Sequence, residues 1–236
     1  MIVLIPLAAV IDNAFSQGFS SFWSSATSGT ALTALWVTLG ASIVVAAIGA
    51  AMGTLIAWVL VRDEFPGKRF VNALIDLPFA LPTIVAALTL IALYGPRSPL
   101  GVHLAYTRGA VLIALMFVTL PFVVRSVQPV LIELDPEVEE AAASLGASGA
   151  TTFRRIVLPA LRPAVLSGAA LAFARSVGEF GSLVLIAGKV QIASIVIYDD
   201  IESDATQAAA SLSVVLLAIS LIVLVLIRRW GNRDAR

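Results

Sequence analysis

The chain has 236 residues, of which 59% are hydrophobic and 13% charged, and its fifteen basic and fifteen acidic side chains give a net charge of zero. Mean hydropathy is +0.99, and a soluble domain of this size carries roughly twice that charge density, so the composition excludes a soluble globule and reads as one polytopic domain in a lipid bilayer. A neutral chain points to no nucleic-acid partner; zero cysteines exclude disulfide, thiolate-metal and thiol redox chemistry, and one histidine, His103, makes no metal cluster.

Residues 1–11, MIVLIPLAAVI, are about half the ~20 apolar residues a membrane helix needs. They lack the basic start of a cleaved signal peptide. We expect a partial first membrane helix, either beginning before this chain or crossing only part of the bilayer. The Ser-rich stretch 12–31 reads as an external loop, and 32–61 as the first complete span. Gly49 and Gly53 within it permit close helix approach. Pro66 and Gly67 make a tight charged turn of 62–69.

The next span, 70–94, contains Asp76 and the run LPFALP with Pro78 and Pro82. Proline removes a helix donor and clashes with the preceding turn, so this span must kink or break, and the freed carbonyls need partners inside the bundle. A kink that shapes packing and a broken helix that lines a pathway are both open readings. Residues 95–108 are rich in turn formers and read as external. The span 109–131 carries Pro121 and Arg125.

Residues 133–160 are the longest soluble-looking segment between apolar runs. Asp135 and Pro136 supply an N-cap and a proline at the first helical position. Glu137, Glu139 and Glu140 place negative charge at the positive end of that helix. Ala141, Ala142 and Ala143 propagate it, and Gly146 offers a left-handed stop. A second short helix follows, with Phe153, Ile156 and Val157 on one face, until Pro159 breaks it. Pro163 then opens a span to about 188 that carries Arg175 and Glu179. The stretch 189–206 is polar, 207–227 is the last span, and 228–236 is a basic tail.

Glu140-Ala141-Ala142, three residues, Gly146, nine residues, then Ile156-Val157-Leu158-Pro159 resembles the EAA loop of ABC-importer permeases. Three strings, LPFALPT, FVVRSVQPV and ARSVGEFGSLVLIAG, are similar to the T-type permeases of sulfate/thiosulfate importers, with molybdate-importer permeases next. The resemblance runs from about residue 30 to 227 and departs in a missing leader and a shorter loop at 95–108. It implies an all-α membrane helix bundle of the ABC-importer permease (MetI-like) type, with five complete spans plus the partial first helix. It also implies that 133–160 is a cytoplasmic coupling loop that docks on a separate ABC ATPase dimer. Glu140, Ala141, Ala142, Gly146, Phe153, Ile156, Leu158 and Pro159 would be its coupling residues: Glu140 meets the ATPase, Gly146 permits the turn, and Phe153, Ile156 and Leu158 anchor the second helix.

The basic residues give the same orientation. With 133–160 inside, the inside segments hold ten Lys and Arg residues and the external loops three. This places the C-terminus and the EAA loop in the cytoplasm, and the resemblance implies a multi-pass chain in the cytoplasmic (inner) membrane of a bacterium.

Arg175 and Glu179 lie four residues apart and share a helix face. Ionisable residues in a span usually face the bundle interior. One reading makes them a neutralising pair that fixes packing. In the other, Arg125, Arg175, Glu179, Pro78 and Pro82 shape an anion path: an arginine fork suits a tetrahedral oxyanion, and Glu179 tempers an attraction that would otherwise hold a dianion too tightly.

No Gly-x4-Gly-Lys-[Ser/Thr] string occurs, so no ATP site is expected here. No cofactor is expected in this chain, with ATP and Mg residing on the partner ATPase. The resemblance adds a second homologous permease subunit and an extracytoplasmic sulfate-binding protein as partners. The expected function is inward movement of sulfate or thiosulfate by alternating access. A molybdate or tungstate permease is the nearest alternative; a passive or ion-coupled anion transporter leaves the EAA spacing unexplained, and a noncatalytic assembly subunit leaves the paired prolines and membrane charges as packing alone.

Overall fold

The computed structural model describes residues 2–233, and these are helical, with no strand among them. The first helix, α1, Leu4–Phe15, runs past the end expected for it at residue 11. The stretch 12–31, expected as a loop, is mostly helical: it continues into α2, Phe19–Ala26, and into the start of α3, Gly29–Arg62. The cause is an aromatic set interleaved with the serines. Phe15 stacks on Phe22 with ring centroids 4.4 Å apart and on Phe19 at 6.3 Å. Gly18 turns the corner between the two helices at φ +90°, a conformation that costs glycine little. Ala14, Phe22 and Ala26 are buried against Ala210.

At about 1.5 Å per residue, the 34 residues of α3 extend about 51 Å, well beyond a ~30 Å hydrocarbon core. The proline-bearing span that follows is broken. It forms α4, Lys68–Ala80, and α5, Thr83–Tyr94, with a bend of 118° between them. Pro78 stays inside α4, and the break falls at Leu81 and Pro82. A proline drives its predecessor out of the helical region, and Leu81 is extended at φ −89°, ψ 132°. The Pro82 carbonyl then starts α5 by accepting from the Val85 and Ala86 N–H groups at 2.9 and 3.2 Å.

The long helix α6, Arg108–Glu133, leads to α7, Pro136–Ser144. A turn connects α7 to α8, Gly149–Thr152, and a π-helical turn over Phe153–Val157 runs straight into α9, Leu158–Val177. Pro159 therefore does not end a short second helix. The π-turn widens the ladder, with the Leu158 N–H donating five residues back to Phe153 O. Pro159 then sits directly after this widened turn, inside the continuing helix. Residues 149–177 form one continuous 29-residue rod.

α9 stops at Val177 rather than near 188, because residues 178–182 nest against the start of α5. A Cβ on Gly181 would collide with Thr83 Oγ1. A short α10, Leu183–Ile186, follows. The stretch 189–206, read from sequence only as polar, contains α11, Ala193–Glu202. Thr38 Oγ1 accepts from its Ala193 N–H at 2.8 Å, and Val196 and Ile197 pack on Leu35 and Leu212. The last helix, α12, Thr206–Arg233, continues through most of the expected tail; residues 234–236 of that tail lie outside the described residues. At its start Gln207 donates to Ala14 O at 3.0 Å and accepts from Ser25 Oγ at 3.1 Å, tying α1 and α2 to α12.

Among the described residues, four helical stretches are long and apolar enough to cross a bilayer, and the bent α4–α5 pair makes a fifth, in line with five spans preceded by a short apolar helix. Between membrane helices there is no water to expel, so close van der Waals packing holds them together. Here α3, α6 and α9 converge on Val123, which is fully buried. A Cβ on Gly53 would lie 2.8 Å from Val123 Cβ, and one on Gly168 would lie 2.8 Å from Val123 Cα. One apolar cluster caps the end of the bundle near the α7 loop, around Leu60, Leu131, Val157 and Leu161. Another caps the opposite end, around Leu115, Leu183, Ile186 and Ile192.

Gly168→Ala forces backbone apart and should cost about 1–3 kcal/mol of stability, read as a lower thermal midpoint in detergent. Gly40→Ala, where an added Cβ meets nothing within 4 Å, should match wild type. On α11, burial and the adjacent Asp199 raise the pKa of Asp200 above 3.8. The folded state therefore holds that proton more tightly than the unfolded chain, and stability falls as pH rises from 3.8 through the folded value. Asp200→Asn should be the more stable protein at neutral pH, with the advantage vanishing below pH 3.8 in a series of melting curves.

Candidate functional site

The break in the α4–α5 span organises the charged groups, and the two arginines expected to act together fall into separate networks on either side of it. On the α4 side, Arg125 faces Asp76 bidentately: Nε donates to Oδ1 at 2.7 Å and one terminal nitrogen to Oδ2 at 2.6 Å. That same nitrogen reaches Asn72 O at 3.0 Å. The other donates to Asn72 Oδ1 at 3.2 Å and closely to Gln128 Oε1. All three guanidinium nitrogens are thus engaged, and an oxyanion would have to displace Asp76 to be bound here. Asn72, Asp76, Arg125 and Gln128 share faces because each pair is spaced three or four residues along its helix. Phe79 meets Phe122 edge-on at 5.1 Å, one turn past Pro78's end of this network.

No residue of α4 is fully buried, and the Arg125 and Asp76 side chains are 32% and 49% exposed. The half-helix is therefore held to α6 chiefly by this charged clamp and a few half-buried apolar groups, among them Val71 and Ile75.

On the α5 side lies the second network. Arg175 pairs closely with Glu179, as their spacing predicts, and Glu179 is only 1% exposed while Arg175 remains one-third exposed. The other Glu179 oxygen accepts from the Ser182 N–H at 2.8 Å, and the Glu179 carbonyl accepts from Ser194 Oγ at 2.8 Å, which ties the loop to α11. The loop carrying Glu179 packs through Gly181 on Thr83, next to Pro82. The structure thus brings Arg175, Glu179 and Pro82 together on one side of the break, and Arg125 and Pro78 on the other. Counting residues from the Val123–Gly168 contact at 1.5 Å each puts the two arginines roughly 13 Å apart along the bundle.

The α7 loop is built from local chemistry. Asp135 caps α7, its Oδ1 accepting from the Glu137 N–H at 2.9 Å, with Pro136 following. At the far end Gly146 takes φ +83°. Its N–H donates to Ala143 O at 2.9 Å and the Ala147 N–H to Ala142 O at 3.0 Å, the paired bonds of a Schellman stop. Space does not require glycine there, since an added Cβ would meet nothing; the backbone does. Glu140 and Ala141 face solvent, Ala142 is half-buried, and the neighbouring Leu145 is 90% exposed.

On the second leg, Phe153 packs edge-on against Trp58 at 5.3 Å. The fully buried anchor is Val157. Ile156 is half-buried, Pro159 exposed, and Leu158 39% exposed, so Leu158 is not the anchor expected. It lines an apolar groove of about 800 Å³ with Leu55 and Trp58. The sequence reading also missed Arg62, whose terminal nitrogen bonds Glu139 Oε1 at 2.7 Å and Leu134 O at 2.9 Å. A basic residue closing a span four residues after a tryptophan was the available signal.

Residues 49–233 match the family model described as the binding-protein-dependent transport system inner membrane component. The chain is 43% identical to the sulfate transport system permease protein CysT of Synechocystis, over 100% of this chain and 87% of that protein. It is 40% identical to CysT of Escherichia coli, over 100% and 89%. Its fold is similar to a chain of the bacterial alginate ABC transporter solved in complex with an alginate pentasaccharide-bound periplasmic protein, with a TM-score of 0.83 at 17% identity, over 99% of this chain and 89% of that one.

Removing one partner of an ion pair held within a membrane span strands the other, whereas replacing both with apolar groups leaves no stranded charge. Asp76→Leu alone should lower the thermal midpoint in detergent, and Asp76→Leu with Arg125→Met should recover most of the loss.

Proposed function

Because the chain belongs to the binding-protein-dependent transport system inner membrane components, a multi-pass membrane permease family, we propose that it is the permease subunit of an ATP-driven importer that carries sulfate, or thiosulfate, inward by alternating access. The observation that carries this reading is the α7 loop: its EAA spacing is folded as a capped helix and a left-handed glycine stop that leave Glu140, Ala141 and Leu145 facing outward. An outward-facing helix at the end of a membrane bundle suits docking in a cleft of a separate ATPase dimer. Whole-chain identity to sulfate permeases supports sulfate over molybdate or tungstate.

The mechanism follows from the parts. ATP, with Mg, is bound and hydrolysed by the partner ATPase. Closure of that dimer displaces α7, and the rod 149–177 and α6 carry the displacement into the bundle. An extracytoplasmic binding protein delivers the anion to the outward state. A half-exposed ion pair at the depth of a span is costly against lipid. The face bearing Asp76, Arg125 and Arg175 is therefore covered by a second, homologous permease subunit or by a water-lined path between the two. Arg175 offers the anion its exposed donors, and Glu179 keeps that attraction weak enough for release. The α7 loop and the C-terminus lie in the cytoplasm.

The test is radiolabelled sulfate uptake in cells lacking their own sulfate permease, co-expressing this chain with its ATPase, second permease and binding protein. Sulfate should compete better than molybdate. Glu140→Arg with Gly146→Trp should abolish uptake at normal membrane levels; uptake unaffected by it means a carrier that needs no ATPase. Arg175→Ala should lower uptake at normal membrane levels, and unchanged uptake removes that residue from the path.

A further inference from the structure

We infer that Arg62 is the tie through which movement of the α7 loop reaches α3, a positioning residue of the importer rather than a surface charge; this rests on the function proposed above. One terminal nitrogen of Arg62 bridges two elements. It donates to Glu139 on the loop helix at 2.7 Å and to Leu134 O, the carbonyl that ends α6, at 2.9 Å. The pair is well shielded, with side chains 17% and 20% exposed, so water and salt weaken it less than an open surface pair.

A second attachment lies one turn back along α3. Trp58 receives the Arg62 guanidinium 5.9 Å from its ring centroid and meets Phe153 on the other leg of the loop at 5.3 Å. Both legs are thereby fastened to the same turn of α3, one by a charge-assisted hydrogen bond and one by an aromatic contact. Beyond that turn α3 is locked to α6 and α9 at Val123, where Gly53 leaves no room for sliding. Pull on α7 is therefore resisted by a block of three long helices. The Arg62 Nε is buried and has no partner, which leaves a donor free to take a new acceptor when the loop shifts, without the guanidinium being withdrawn. Lysine lacks the planar fork that holds these donors in a fixed geometry.

The experiment uses the complete importer reconstituted in vesicles, with sulfate moved and ATP hydrolysed measured together. Arg62→Gln, Glu139→Gln and the double variant are compared with wild type. In the single variants the complex should still co-purify and hydrolyse ATP, while sulfate moved per ATP falls about tenfold, toward the lower end of the usual range for coupling between sites. The double variant should be no worse than either single, because both remove one tie. An unchanged sulfate-to-ATP ratio in the single variants, or additive losses in the double, overturns the inference. If the neutral variants do not assemble, the charge-swapped double Arg62→Glu with Glu139→Arg, which re-forms the tie, is read by the same ratio against each single reversal, and a double no better than the singles overturns it. Wild-type vesicles that show no ATP-dependent sulfate uptake would instead refute the function itself.

Discussion

Everything in this bundle depends on how closely three backbones approach at Val123. Lipid tails solvate a leucine as well as another leucine does, so apolar area alone does not choose helix partners in a membrane. Shape does. Gly53 on α3 and Gly168 on α9 remove the two side chains that would hold those helices away from α6. The remaining helices are attached to this block rather than built into it: α12 along α9 and the N-terminal pair, α11 across one end, and the broken α4–α5 span across the open side.

The broken span shows what weak attachment costs and permits. The α4 half hides no residue completely, and its strongest link is the clamp between Asp76 and Arg125. The α5 half instead has buried alanines and Leu90 and sits tightly on the loop that carries Glu179. One proline before α5 separates a loosely held half from a firmly held one. A pathway that must open and close is well served by such a junction, since one side can shift while the other keeps its place.

The parts of this fold that were legible in the sequence are those written in local chemistry. Caps, the left-handed Gly146, the glycine pair of α3 and the i, i+4 spacing of Arg175 and Glu179 each involve residues within a turn or two of one another. The parts that were not legible depend on partners far along the chain. Asp76 and Arg125 could be seen as two membrane charges, but not as one bidentate pair that takes Arg125 away from Arg175. Arg62 counted only toward orientation, and its engagement with Glu139 needs α3, α6 and α7 to be placed first. The serine-rich stretch after α1 misled because its serines read as a polar loop, whereas Phe19 and Phe22 on α2 stack back across the Gly18 corner on Phe15 of α1. Pro159 misled because a proline ends an α-helix but not a helix that has just widened into a π-turn.

That π-turn has a mechanical consequence. Since the helix continues through it, residues 149–177 are one continuous helix, and Gly168 is where that helix bears on the α6 backbone with no room for a side chain. At 1.5 Å per residue, the tip at Gly149 is about 28 Å from that fulcrum and Arg175 about 10 Å from it on the other side. A tilt about Gly168 swings the two ends in opposite directions, and the far end moves roughly a third as far as the tip. Under the proposed function, a stroke that tilted this helix would arrive beside Glu179 as a smaller displacement in the opposite direction.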